Sequence, residues 1–316
     1  MKKLFLKIGA ATLTALVACG SMAACTPTET PKTITGVSAQ NATVLTDRSV
    51  SLQICNLQAG DKVLYSADNQ TFGETLVSFT RAGTYTLYYK IVREGFQDFV
   101  SSAQIEVVAP QDLFSVDGNT LTFGKYPSSI LSQSGAGAYE TVTATPYESV
   151  TLNGVNVVNG GEYRFAVEDV LWTVVETTEK GYVAVSQEIV DAAPYHSAFG
   201  ATSYESASVK AKVDTIYNAM FSELERQICS VSLIDAEFVS EYTDVAPAKA
   251  SDLAIARGCW VSDLTGYVGN GAYWLKDLAV NAGYAKFVDF NGLTNDDGYM
   301  VNDPSYGIRL VIEIEF

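Results

Sequence analysis

Tyr306-Gly307-Ile308-Arg309-Leu310-Val311-Ile312-Glu313-Ile314-Glu315-Phe316 is the stretch whose pattern decides how the larger part of this chain is built. From Ile308 onward apolar residues fall on alternate positions: Ile308, Leu310, Ile312, Ile314 and Phe316. Arg309, Val311, Glu313 and Glu315 take the other face. A period of two with one apolar face is a half-buried strand. The preceding domain therefore needs this strand to complete a sheet. Arg309, on the polar face, is expected to be structural and to pair with a carboxylate such as Asp277 or Glu168.

Working backward, the chain reads as mostly β. It has 316 residues, 47% hydrophobic and 11% aromatic, enough for two domains with real cores. Tyrosine is abundant, at 18 against 3 Trp and a single His, and Tyr, Thr, Val and Gly together favour strands and turns. The formal charge is −16, and loss of a leader carrying Lys2, Lys3 and Lys7 would make it more negative. Such a surface repels phosphate backbones, so nucleic acid is not an expected partner.

Residues 1–18 have the form of an export signal. A basic start (Lys2, Lys3, Lys7) leads into a short apolar run, Ile8 to Val17, too short to span a bilayer. Leu16-Val17-Ala18-Cys19 resembles a bacterial lipobox, which implies a diacylglycerol on the Cys19 thiol and further acylation of its amine. Met22-Ala23-Ala24-Cys25 is the alternative site. Several acyl chains anchor a protein without a transmembrane helix, so the expected localisation is the cell envelope, with the membrane a partner through the anchor. Residues 19–33, with Pro27 and Pro31, read as an extended tether. Cys55, Cys229 and Cys259 have no metal-ligand spacing, and sequence leaves a Cys229–Cys259 pair open.

Residues 34–109 read as a β-sandwich. Val50, Leu52 and Ile54 alternate, as do Tyr85, Leu87, Tyr89 and Ile91, then Ala103, Ile105 and Val107. Turns are expected at Gly60-Asp61, Asp68-Asn69, Ala82-Gly83 and Glu94-Gly95. Ala82-Gly83-Thr84-Tyr85-Thr86-Leu87 with Tyr89-Lys90, followed by Gly95-Phe96, resembles the last hairpin of bacterial immunoglobulin-like modules. The resemblance implies a spacer or an adhesion module.

Residues 111–316 read as α+β. Hairpin turns are expected at Asn153-Gly154 and Asn159-Gly160-Gly161, and a hairpin joins Val170–Glu176 to Tyr182–Ser186. Val209, Val213, Ile216, Tyr217, Met220, Leu224 and Ile228 recur at helical spacing, predicting helix over 205–230 with a break near Phe221. Short strands are expected at Tyr273–Lys276 and Phe287–Phe290, with a turn-rich loop from Asn291 to Ser305 before the closing strand. Phe123-Gly124-Lys125-Tyr126-Pro127, Leu171-Trp172 with Val174-Val175, Ser186 with Ile189 and Asp191, Tyr204-Glu205 with Val209, Ile216-Tyr217-Asn218 with Phe221, Tyr273-Trp274-Leu275-Lys276 and Gly307-Ile308-Arg309-Leu310 follow one another in this order. Together, from Gly118 to Phe316, they resemble a bacterial family, a domain of unknown function common in lipid-anchored and secreted proteins of gut and oral bacteria. Lys210, Lys276 and Leu310 depart from that family's pattern, which makes the chain a divergent member. The late elements are similar in order to the C-type-lectin-like fold, a likeness that implies architecture and no activity.

Chemistry is harder to place. His196, in Pro194-Tyr195-His196-Ser197, is the one histidine available to a serine triad, and no G-x-S-x-G elbow is present. A carboxylate pair is available, with Glu168-Asp169 near Trp172 and Asp296-Asp297 late in the chain. Asp289, Asn291, Asn295, Asp296, Asp297 and Asp303 concentrate oxygen ligands of the kind calcium takes, without EF-hand spacing; the same residues also make turns. Calcium is the one cofactor the sequence suggests. Trp260, Tyr267, Tyr273 and Trp274 are the candidate ligand-binding aromatics. The leading expectation is a lipid-anchored surface protein with a non-catalytic binding or adhesion role toward a glycan or a protein. An envelope-polymer hydrolase using a carboxylate pair and a purely structural envelope protein are the alternatives.

Overall fold

The computed structural model describes residues 32–132 and 137–316. The expected leader, the tether up to residue 31 and both lipidation candidates, Cys19 and Cys25, lie outside the described residues. No helix among the described residues is long and apolar enough to cross a membrane.

The first module is a four-stranded sheet built from β1 (Ala42–Leu45), β2 (Lys62–Ser66), β3 (Gly83–Val92) and β4 (Phe99–Val108) in the order β1-β4-β3-β2. β3 and β4 pair antiparallel from Gly83–Val107 to Ile91–Phe99, and β1 adds parallel to β4. Leu87, Tyr89 and Ile91 of β3 and Ala103, Ile105 and Val107 of β4 are buried on one face, the alternation that a one-sided core requires. Ile34, Val37, Val50 and Leu52 close that core from the other side. Val50 and Leu52 are buried without lying in a strand; Ile54–Cys55 pairs with Ser38–Ala39, and Ser49 makes an isolated bridge to Ser78. A 3-10 turn, Pro110–Leu113, follows β4.

The larger part is mostly β with a few short helices. β5 (Thr120–Ile130), β6 (Tyr139–Thr143), β7 (Glu162–Thr178) and β8 (Gly181–Ser186) come first. α1 (Ser208–Met220), β9 (Cys229–Leu233), α2 (Ala236–Glu241) and α3 (Asp252–Ala256) follow. β10 (Tyr273–Leu278), β11 (Tyr284–Val288), β12 (Thr294–Met300) and β13 (Leu310–Glu315) complete the set. One sheet has the order β9-β13-β8-β7-β5, with Ser115–Asp117 at its edge and β6 also on β7. A second sheet runs from Asp191–Ala192 through Gly307–Ile308 to β10, β11 and β12.

The closing stretch thus serves both sheets. Gly307–Ile308 pairs with Asp191–Ala192 and touches β10, while β13 lies antiparallel between β8 and β9. Ile308, Leu310, Ile312 and Ile314 are buried as the pattern requires. Phe316 is 42% exposed and packs on Phe114 and Tyr182. Arg309 sits where the chain crosses from one sheet to the other, and it is only 2% exposed. Among the described residues its expected carboxylate partner is absent. Asp277 accepts the Ala236 N–H, and Glu168 accepts from Ser129. Arg309 donates instead to the carbonyls of Ser186 (3.0 Å), Val245 (2.6 Å) and Ala246 (2.8 Å) and to the Tyr273 hydroxyl (3.2 Å). Carbonyls freed from strand pairing at the crossover need donors, and the five-donor fork of arginine supplies several at once.

Helix α1 ends at Met220, with Phe221 as its cap in extended conformation at the expected break, and beyond it the expected helix gives way to a 3-10 turn. The apolar pattern runs on because Leu224 and Ile228 pack on the same core through the 3-10 turn Glu225–Gln227. Phe221 lands on Gly124, where a Cβ would lie 2.6 Å from the Phe221 ring and φ is +75°. This explains the glycine inside a strand that otherwise reads as core. Trp172 donates its indole N–H to the Phe123 carbonyl at 2.9 Å beside it.

Two polar stretches are strands, one of them within the expected late loop. β5 runs through Ser128 to Ile130, and β12 occupies Thr294–Met300. β12 is the edge of its sheet, and its Asn295-Asp296-Asp297 faces solvent. Charged residues on an exposed edge discourage pairing with other chains, so a polar edge strand reads as a loop.

Candidate functional site

A cleft of about 470 Å³ opens where β5 and β7 meet the chain leaving β8. Tyr126, Pro127, Ser128 and Ser129 come from β5, and Glu168, Asp169, Val170 and Leu171 from β7. Ser186, Gln187, Glu188 and Val190 come from the crossover, and Ser251 from the start of α3. The cause is local. Pairing of β5 with β7 steps from Pro127–Val167 to Ile130–Phe165, so one strand carries an extra residue there. A bulge of this kind bends the strand and redirects side chains. Here it presents Ser128 and Ser129, and the Ser129 N–H and hydroxyl both bond Glu168 (3.2 and 2.8 Å).

The floor is fixed by a buried network. Asp191 is fully buried; it accepts from the Tyr126 hydroxyl at 2.8 Å and from the Ala192 N–H at 2.7 Å, and pairs with Lys212 of α1 at 2.6 Å. Burial, then the neighbouring Asp191 charge, holds the Tyr126 phenol protonated far above its ordinary range. Ser186 donates to the Glu188 carbonyl at 2.7 Å and accepts the Leu310 N–H at 3.3 Å, which ties the rim to the closing strand.

The charge around the cleft is unbalanced. Glu188 has its pKa raised, first by burial and then by the negative charges of Asp252 and Glu168, with Lys249 opposing. Asp252, just behind, is raised by burial and by Glu168, although its carboxylate accepts from the Ile130 N–H (3.0 Å) and from Asn153 (2.9 Å). Asp169 is engaged by Lys125 at 2.5 Å on the open surface.

The sequence-derived candidates fall elsewhere or change role. Tyr273 and Trp274 are fully buried, so their expected role as ligand-binding aromatics is corrected to core. The Tyr273 hydroxyl donates to the Ala246 carbonyl at 2.7 Å, and Trp274 stacks on Tyr306 with centroids 4.1 Å apart. Trp260 and Tyr267 stay at the surface, edge-on to Phe290 at 5.7 and 5.6 Å, and neither lines the cleft.

The six calcium candidates do not converge. Asp289, Asn291, Asn295 and Asp303 turn their oxygens onto nearby backbone N–H groups of Phe290, Leu293, Gly298 and Ser305. Asp296 pairs with Lys286 at 2.6 Å, and Asp297 is exposed on β12. Among the described residues no group of three or more His, Cys, Asp or Glu is placed to hold a metal ion. The turn-making role of these residues wins over the ligand role.

His196 accepts the Ser208 N–H at 3.3 Å at the start of α1 and lines no part of the cleft. Cys229 and Cys259 are free thiols in separate clusters, both pushed up to about 12 by burial. Of the sequence candidates, the cleft contains only Glu168 and Asp169; Glu188, Ser251 and the serine bulge were not anticipated. Comparison with family models, with curated proteins and with solved structures finds no match for this chain.

Proposed function

We propose that this chain is a lipid-anchored surface protein whose larger domain binds a glycan or protein ligand without transforming it, and that the cleft between β5, β7 and the crossover is the binding site. One observation carries this reading. The cleft joins an apolar wall (Pro127, Val170, Leu171, Val190) to hydroxyl, amide and carboxylate groups, the mixed lining typical of ligand sites. The export leader, the anchor at Cys19 or Cys25 and the likeness to a bacterial lipoprotein family support the envelope location. They belong to the proposal. The test uses the full chain with Cys19 and Cys25 changed to Ser so that it stays soluble. Binding on glycan and peptide arrays that is lost in Leu171→Asp supports the proposal; binding unaffected by that change removes the cleft from it.

The second reading is a hydrolase acting on envelope polymers. It is favoured by the upward-shifted Glu188, which lines the cleft with Glu168, since a carboxyl of raised pKa paired with a second carboxylate is the arrangement a glycosidase uses. Release of reducing ends from peptidoglycan or polysaccharide, abolished in Glu188→Gln, would favour it over binding alone.

A further inference from the structure

We infer that the cleft takes a basic peptide side chain, a primary ammonium on an aliphatic stem, and that lysine-bearing polypeptide is the ligand class. The inference rests on the cleft being the binding site and adds what it binds. The cavity is amphipathic along its length. Leu171, 44% exposed, stands with Val170, Val190 and Pro127 as an apolar wall. Glu168 and Glu188 line the same cavity, and Asp252 and Glu168 both add negative charge at Glu188. Lysine has the matching form, a four-carbon stem that covers apolar surface and a compact charge at its end.

The charge count points the same way. The charged residues lining the cavity are Glu168, Asp169 and Glu188, with no Lys, Arg or His among the lining residues. Lys125 engages Asp169, and Lys249 is the one cation that acts on Glu188. Glu188 is exposed at the cleft, and among the described residues its carboxylate makes no side-chain hydrogen bond and no ion pair, so it is open to an incoming cation. The hydroxyls of Ser128 and Ser129 and the Gln187 amide offer oxygens to the remaining N–H bonds of an ammonium. An anionic ligand would meet three carboxylates. A neutral sugar would bring no countercharge to them.

The experiment measures binding of tetralysine, and of tetralysine acetylated on every side chain, to the Cys19/Cys25→Ser full chain by calorimetry at low salt. The expected result is binding of the first and none of the second. Glu168→Gln with Glu188→Gln should weaken tetralysine at least tenfold, while Glu313→Gln with Glu315→Gln, distant exposed carboxylates, should change it less than twofold. Thermal melts of both variants establish that they fold. Equal weakening by the two pairs would show diffuse attraction to an acidic chain and overturn the inference, as would equal binding of the acetylated peptide. If instead a neutral glycan binds and is lost in Leu171→Asp, the cleft stands as the binding site and the basic-peptide assignment falls. If neither class binds, both fall.

Discussion

Arg309→Met offers the sharpest check on how the two sheets are joined. The substitution keeps the length of the stem and removes every donor. It leaves the carbonyls of Ser186, Val245 and Ala246 and the acceptor side of the Tyr273 hydroxyl without their present partner. Each buried acceptor left unpaired costs ~1–3 kcal/mol. Relief works the other way. The variant no longer buries a cation, and burial already pushes the Arg309 pKa down. Three carbonyls left unpaired, offset by that relief, net roughly 3–5 kcal/mol. For a domain of this size that corresponds to a fall in Tm of about 6–20 °C. Urea unfolding followed by tryptophan fluorescence reports it, because Trp172 and Trp274 are both fully buried in the larger core. Arg309→Lys should fall between, since it keeps the charge but loses the planar fork. A loss below about 1 kcal/mol in Arg309→Met with an unchanged m-value would refute the reasoning, and would mean the carbonyls find water or other donors.

Three further changes probe the site and its support. Glu188→Gln should raise Tm at neutral pH. Its folded-state pKa is raised, so the parent gains stability relative to the unfolded chain as pH falls through that pKa and carries the cost of the charge above it. The advantage of Gln should therefore vanish below about pH 4, where the carboxyl is protonated in both states, and an equal advantage at both pH values would contradict the assignment. Lys212→Met leaves the fully buried Asp191 without its cation and should cost ~3–5 kcal/mol, with Asp191→Asn restoring part of the loss in the double variant; strict additivity in chemical denaturation would count against the network. Gly181→Ala places a Cβ against the Ile314 carbonyl, where backbone has no way to give, and should lower stability by ~1–3 kcal/mol or more; hydrogen exchange should show faster opening across β8 and β13, and unchanged protection there would refute it.

What was legible in the sequence follows a physical rule. Strands with one buried face declared themselves by alternation, as in Leu87-Tyr89-Ile91, Ala103-Ile105-Val107 and Ile308 to Ile314. The turn at Asn153-Gly154 was readable because left-handed backbone selects Asn and Gly, and the hairpin across Thr178–Gly181 stood out by the apolar runs on either side. Edge strands were not readable. β12 carries Asn295-Asp296-Asp297-Gly298, and its strand state depends on a neighbour, β11, that local chemistry does not reveal. Arg309 was assigned to the polar face because alternation assumes one continuous sheet; a change of sheet at that residue puts both its neighbours and itself inside. The cleft was half visible. Glu168-Asp169 stood out as adjacent carboxylates, while Glu188 and Ser251 are ordinary residues whose meaning comes from a bulge at Ser128-Ser129 and a crossover 60 residues later. Tyr273 and Trp274 looked like surface aromatics because composition says nothing about which side of a strand meets a second sheet.

The placement of β13 between two partners has a consequence for the time course of folding. The Leu310–Ser186 contact spans 124 residues and the Arg309–Val245 contact spans 64. β8 and β9 gain β13 as a partner only when the residues around 310 are available, so β9 joins the sheet late, although β5, β7 and β8 pair with one another without it. Contacts of such long range make folding slow and leave apolar strand faces uncovered meanwhile. Until β13 docks, β9 has no strand partner and one edge of β8 stays unpaired. A holding chaperone should retain such a chain longer than it retains a fold made of local hairpins.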